Sequence, residues 1–111
     1  MDATKKIRAI KKEIANSEAV KACAHRHGTI GDPTAMKICY LFRHHPELSV
    51  TDIAELVDIS VSAASRQLKK LKSADIVQSN KQAQTVFYSL RDNEFTQNLI
   101  EELSEGAAKN A

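Results

Sequence analysis

The sequence predicts a mainly α chain with one small β-hairpin, a dimeric winged helix-turn-helix of element order α-α-α-α-β-β-α. Three observations lead there. Apolar residues recur at helical spacing along most of the chain. Between Leu48 and Ala74 a short helix, a brief turn and a basic helix follow one another. From Ile76 the apolar period then changes to two, around a polar stretch.

Element by element, the segment from Asp2 to about Ala24 is rich in Lys, Ala, Ile and Glu. Ile7, Ile10 and Ile14 put a narrow apolar stripe on this otherwise charged helix. Gly28, Gly31 and Pro33 form the clearest break in the chain. Asp32 reads as an N-cap with Pro33 at the first helical position, where a missing N–H costs nothing. That helix runs to about His44, with Met36, Ile38, Cys39, Leu41 and Phe42 mostly inward, and His45-Pro46 ends it. Ser49 or Thr51 can cap a short helix with the apolar face Val50, Ile53, Ala54 and Val57. After the turn Asp58-Ile59-Ser60, Ser60 caps a helix whose inward positions Ala64, Leu68 and Leu71 follow i, i+4, i+7. Asp75 stands where a left-handed helix ending normally carries Gly, and Asp is one of the few residues that tolerates it. Ile76 and Val77, then Val86, Phe87 and Tyr88, are β-type runs around the polar Ser79 to Gln84, a hairpin. Asp92 caps a last helix striped by Phe95, Leu99, Ile100 and Leu103, and the tail from Gly106 to Ala111 is expected to fray.

A chain of 111 residues holds one domain. Its winged-helix core is expected over 33–91, with dimerisation helices at 1–26 and 92–106. The two outer stripes, Ile7, Ile10 and Ile14 and then Phe95, Leu99, Ile100 and Leu103, are left over after the core is filled, and pairing across a two-fold axis would bury them in a homodimer. With no Trp and only 5% aromatic residues the core is aliphatic and light, so subunit pairing has stability to supply. Net charge is only +2, but its distribution is uneven. From Ser60 to Ala74 there are Arg66, Lys69, Lys70 and Lys72 and no acid; from Asp92 to Glu105 there are five acids and no cation. A one-sided footprint of this kind suits a polyanion.

No apolar run has signal-peptide or membrane-spanning length, and two cysteines sixteen positions apart make no disulfide framework. The expectation is a cytoplasmic protein with reduced Cys23 and Cys39 and no membrane partner. An enzyme is not expected: the chain has no Gly-rich phosphate loop, no His-Glu-x-x-His and no Cys-x-x-Cys.

With Ala64, Leu68 and Leu71 inward, a rotation of ~100° per residue turns Ser62, Arg66 and Lys69 outward and sets Ala63, Ser65, Lys70 and Lys72 on the flanks. Small residues in the first turns let a backbone approach a groove, and Arg66 can reach guanine edges or a phosphate. The candidate residues for a double-stranded DNA operator are Ser60, Ser62, Ala63, Ser65, Arg66, Gln67, Lys69 and Lys70, with Lys81 and Gln84 from the hairpin. Lys and Ser on one helix can equally be a solvated face; the short helix before it and the hairpin after it favour DNA. The competing expectation is a winged-helix module that docks a protein partner instead.

The runs DPTAMKICYLF, ELSVTDIAELVDISVSAASRQLKKLKSADIV and KQAQTVFYSL resemble the ArsR/SmtB family of dimeric winged-helix repressors. The resemblance covers about Gly31 to Asp92, and Ser-Arg-Gln-Leu-Lys-x-Leu is its most specific part. It implies a recognition helix from Ser60 to Ala74, a wing from Ile76 to Leu90, outer helices at the dimer interface, and a palindromic operator with half-sites ~10 bp apart or a multiple of that. The wing departs from the family, which commonly carries a Gly and a basic residue at the tip. Here the tip is Gln82-Ala83-Gln84, with only Lys81 nearby.

The resemblance also implies two metal positions to inspect. The family's Glu-Leu-Cys-Val-Cys-Asp thiolate motif reads Glu47-Leu48-Ser49-Val50-Thr51-Asp52 here, and hydroxyls are poor ligands for arsenic, cadmium or lead. The Asp/His set at the ends of the last helix reads Asp92, Glu94, Glu105 and Ala108, with no imidazole and one ligand missing. No cofactor is therefore assigned. The remaining soft-ligand candidates are Cys23, His25 and His27, which would suit Zn, Ni, Co or Cu if brought together. The alternative for them is a structural or solvated role at a helix end.

Overall fold

The computed structural model describes residues 3–109, and the side chains of residues 4–104. The helices are α1 (Ala3–Ala15), α2 (Glu18–Ile30), α3 (Pro33–Leu41), α4 (Val50–Leu56), α5 (Val61–Ser73) and α6 (Glu94–Lys109). The strands are β1 (Leu48–Ser49), β2 (Val77–Gln82) and β3 (Thr85–Leu90). This is a winged helix-turn-helix: α4 and α5 form the helix-turn-helix, and β2 and β3 form the wing.

Local chemistry sets most helix starts. The Asp32 carboxylate accepts the Thr34 N–H at 2.9 Å, with Pro33 opening α3. Ser49 accepts the Asp52 N–H at 3.1 Å, and Ser60 accepts the Ala63 N–H at 3.0 Å. Asp58 and Asp75, just past α4 and α5, hold φ of 58° and 60°, left-handed endings that Asp tolerates better than most residues.

Four expectations are corrected. The first helix is two: Ser17 is extended and accepts the Val20 N–H at 3.2 Å, starting α2. The Asp2 end of that expectation lies outside the described residues. Gly28 breaks nothing, since α2 runs through it to Ile30 and Gly31 ends the helix with an ordinary right-handed φ of −66°. Asp92 is not the cap of α6. Asn93 is, accepting the Thr96 N–H at 2.9 Å while its own N–H donates to the Thr96 hydroxyl at 3.2 Å, a reciprocal box. Finally, the tail from Gly106 does not leave the helix, because α6 continues to Lys109; residues 110–111 lie outside the described ones.

The sheet has a strand that periodicity missed. β1, two residues long, pairs antiparallel with β3 through Leu48↔Tyr88 and Ser49↔Phe87. β3 therefore lies between β1 and β2, and the order is β1-β3-β2. The hairpin strands are longer than their apolar runs: pairing continues from Val77↔Leu90 to Gln82↔Thr85, leaving Ala83 and Gln84 as a two-residue turn. Only the first of these has a positive φ, Ala83 at 55°, which is the pattern of a type II′ turn with Ala in place of the favoured Gly.

Ile38, Cys39, Ile53, Ala64, Leu68, Leu71, Ile76 and Val77 are fully buried and join α3, α4, α5 and β2 into one core. The Cys39 thiol sits among them, and burial pushes its pKa up from 9.0 to about 12. Two side-chain bonds tie outer elements to this core. Asp32 uses its second oxygen to accept Gln67 Nε2 at 2.7 Å, locking the start of α3 to α5. Asn93 Nδ2 donates to the Asp75 carbonyl at 2.9 Å, holding the start of α6 against the end of α5.

Four outcomes follow for stability and thiol reactivity. Gly28 is helical and a Cβ there meets nothing within 4 Å, so Gly28→Ala should raise the unfolding free energy in urea by about 0.5–1 kcal/mol. Asp32→Ala should lower it by about 2 kcal/mol by losing both cap and bridge, whereas Asp32→Ser, which keeps a cap but cannot reach Gln67, should lose about half as much. Exposed Cys23 should react at once with an aromatic disulfide reagent and Cys39 only on unfolding. Because the unfolded thiol ionises first, the Cys39 contribution is intact below pH 9.0 and falls as the pH rises toward 12, which urea titrations across that window will show.

Candidate nucleic-acid interface

Helix α5 is built to present one face. Ala64, Leu68 and Leu71 are fully buried on its inner side. Ser62, Arg66 and Lys69 are exposed on the opposite side, with Lys70 also exposed and Ala63 and Ser65 half-buried on the flanks. The helix carries no acid in its first turn, and Lys70 and Lys72 lie in its last, where they complement the carbonyl end of the helix dipole. The outward face is therefore small and polar at the start and cationic toward the end.

Not every sequence-predicted residue lies on that face. Ser60 is exposed but spends its hydroxyl on the helix cap. Gln67 is half-buried, and its amide is given to Asp32 on the protein side. Lys69 and Lys70 do lie on the exposed side, at its α2 edge, where with Ser73 they border a shallow cleft with Ala24, His25, Gly28 and Thr29. Lys81 and Gln84 are exposed near and at the end of the wing.

Spacing alone gave no sign of the two bonds that orient the wing. Lys72 Nζ donates to the Ser79 hydroxyl at 2.7 Å, joining the last turn of α5 to β2. Gln82 Nε2 donates to the Glu47 carboxylate at 3.0 Å, joining the far end of β2 to the approach to β1. Both bonds are exposed and individually weak, yet they hold the hairpin at two points along its length.

The soft-ligand candidates do not converge. Cys23 and His27 are four residues apart on α2 and share a face, but His25 lies ~200° around the helix from Cys23. His27 is further committed to an edge-on contact with Phe95, ring centroids 5.2 Å apart, while the Arg26 guanidinium sits 5.2 Å from the same ring. Among the described residues no group of three or more His, Cys, Asp or Glu is placed to hold a metal ion, so Cys23, His25 and His27 are not brought together within the chain. Ser49, where the family motif has a thiolate, is buried and caps α4. Asp92 accepts Gln97 Nε2 at 2.8 Å, and the side chains of residues 105 and 108 lie outside those described.

On the outer stripes, Ile7, Ile10 and Ile14 are exposed, and Ile100 and Leu103 are half-buried. Leu99 belongs to the chain's own core, and Phe95 is half-buried under α2. No helix among the described residues is long and apolar enough to cross a membrane.

Comparison with known proteins agrees with this geometry. Residues 30–79 match the family described as "Helix-turn-helix domain". The chain is 32% identical over 96 residues to the cadmium resistance transcriptional regulatory protein CadC homolog of Staphylococcus aureus, covering 86% of this chain and 78% of that one. It is 28% identical over 99 residues to the transcriptional repressor SmtB homolog of a Synechocystis strain, covering 89% and 74%. Its fold superimposes on HlyU from Vibrio cholerae with a TM-score of 0.71 and 26% identity, over 80% of this chain and 95% of that one. A cationic, outward-facing α5 carried on a winged-helix core, together with these likenesses, places the chain in the ArsR/SmtB family of DNA-binding transcriptional regulators.

Proposed function

We propose that the protein is a cytoplasmic transcriptional repressor that binds a palindromic operator as a homodimer, laying α5 in the major groove. The observation that carries this reading is the division of α5, whose apolar face is fully buried while Ser62, Arg66 and Lys69 project from a helix bonded to its neighbours at its middle and its last turn. A reading helix must be rigid, because orientation errors of an ångström break bidentate contacts to a base edge. The Asp32–Gln67 bond at the middle of α5 and the Lys72–Ser79 bond at its last turn add to the rigidity that the buried face supplies.

Roles divide by chemistry. Arg66 is the residue for base-edge recognition, its guanidinium fork matching the two acceptors of guanine. Ser62, Ala63 and Ser65 keep the first turns slim enough for close approach. Lys69 and Lys70 take phosphates, and Lys81 and Gln84 extend toward the flanking minor groove from a tip without the glycine usual in the family. The thiolate metal site of cadmium or arsenic sensing is absent from α4, since Ser49 and Thr51 offer hydroxyls and Ser49 is used as a cap.

The test is selection of bound fragments from the source genome, followed by titration of the recovered duplex. Arg66→Ala should weaken specific binding about 10- to 100-fold, leave non-specific binding nearly unchanged, and keep the melting temperature of the fold. Lys69→Ala should weaken all duplexes alike and reduce the slope of log affinity against log salt by about 1. Undetectable duplex binding at low salt would overturn the repressor reading in favour of a protein-docking module.

A further inference from the structure

One exposed residue of α5 has no part in the roles already assigned. Val61 opens the helix and is 49% exposed, the one large apolar side chain of α5 left to solvent. Its neighbours in the first turn, Ser60, Ser62 and Ala63, are small. Single apolar residues on a protein surface are ordinary, and this one is informative because of where it stands. Valine is a poor helix former, since its branched Cβ loses rotamer freedom against the helix. The start of a groove-reading helix is also the part that contacts base edges.

Position along α5 sets the direction of the side chain. Residues 61, 65 and 72 are spaced i, i+4, i+11 and share one flank of the helix. Lys72, at the far end of that flank, is bonded to Ser79 of the wing. The flank therefore lies between the Arg66 face and the wing, the two surfaces assigned to the duplex. On the other flank Gln67 is turned to Asp32 at the start of α3.

Chemistry then selects the base. Ser60 has spent its hydroxyl on the Ala63 N–H, at 3.0 Å. Ser62 is exposed and keeps its hydroxyl, but a hydroxyl both donates and accepts and so suits any base edge. An isopropyl group does neither. The apolar feature that the major groove offers is the 5-methyl group of thymine. Against the edges of other bases, valine covers donors and acceptors and returns no hydrogen bond, so the wrong base is penalised as well as the right one favoured.

We infer that Val61 selects thymine, packing its methyl groups on the 5-methyl group of one thymine in each half-site. This rests on α5 lying in the major groove as proposed, and it adds a second determinant of sequence to Arg66. Val61 and Arg66 are separated by a rise of about 7.5 Å along the helix. At ~3.4 Å per base pair, the thymine lies within about three base pairs of the guanine taken by Arg66.

The experiment uses the full chain and the operator recovered by fragment selection. Each thymine in turn is replaced by deoxyuridine, which removes the methyl group and keeps the base pair. One thymine per half-site should stand out. Its replacement should weaken wild-type binding about four-fold in one half-site and about sixteen-fold in both, the value of one buried methyl group per subunit. Val61→Ala should lose about the same sixteen-fold on the thymine operator and bind the thymine and uridine operators equally. Its slope of log affinity against log salt should match wild type, because no phosphate contact is touched, and its melting temperature should not fall. Equal wild-type binding to every uridine operator, or a Val61→Ala protein that keeps the full uridine penalty, would overturn the Val61 assignment and leave the repressor reading standing. A changed salt slope in Val61→Ala would mean that the substitution shifts the helix on the duplex, and the methyl contact would fall. Wild type that binds no duplex at all would remove the repressor reading and this inference with it.

Discussion

The whole arrangement depends on burying one stripe of α5. Ala64, Leu68 and Leu71 lose all contact with water against Ile38, Ile53, Ile76 and Val77, which come from α3, α4 and the start of the wing. Because those partners belong to three different elements, the stripe fixes the rotation of α5 about its axis and its position relative to the wing at once. Turning the helix by one residue, ~100°, would bury Lys69 and Lys72 one way or Lys70 the other and expose a leucine, and a buried unpaired cation costs far more than the apolar contact gains. The outward cationic face is thus a consequence of the inward one.

Polar bonds then refine what the apolar core sets coarsely. The Asp32 carboxylate both caps α3 and holds Gln67, so one side chain controls a helix start and a helix–helix angle. The Asn93–Thr96 box starts α6, and the Asn93 amide reaches the Asp75 carbonyl at the left-handed end of α5. The Thr96 hydroxyl is nearly inaccessible and donates to the Arg91 carbonyl, so this buried polar group is satisfied. These are positions where a side chain does two jobs, and substitution there affects the interface without touching it.

Serine at position 49 illustrates how family membership and residue chemistry diverge. The family shares its scaffold widely, and relatives include a protein named for cadmium resistance. In this chain the Ser49 hydroxyl is consumed by the Asp52 N–H, a role a cap residue fills well and a metal ligand cannot fill simultaneously.

Much of this was legible in the residues alone. The caps at Asp32 and Ser60, the inward Ala64, Leu68 and Leu71, the tolerance of Asp75 for a left-handed ending, and the switch to strand periodicity at Ile76 are all local, set within four residues by hydrogen-bond geometry and side-chain period. Where neighbours along the chain were insufficient, the reading slipped. The break at Ser17 has no Gly or Pro to mark it, whereas Gly28, which looks like a break, is held helical within α2. β1 is two residues long and exists only because β3 lies beside it. Gln67 has the composition of a DNA contact, but Asp32, thirty-five residues earlier, takes its amide. Cys23, His25 and His27 are close in sequence and apart in space, because a helix rotates each residue away from the next. Sequence determines what each residue prefers within its own turn or strand; tertiary structure alone decides which distant group meets it, since that choice depends on how whole elements share one core.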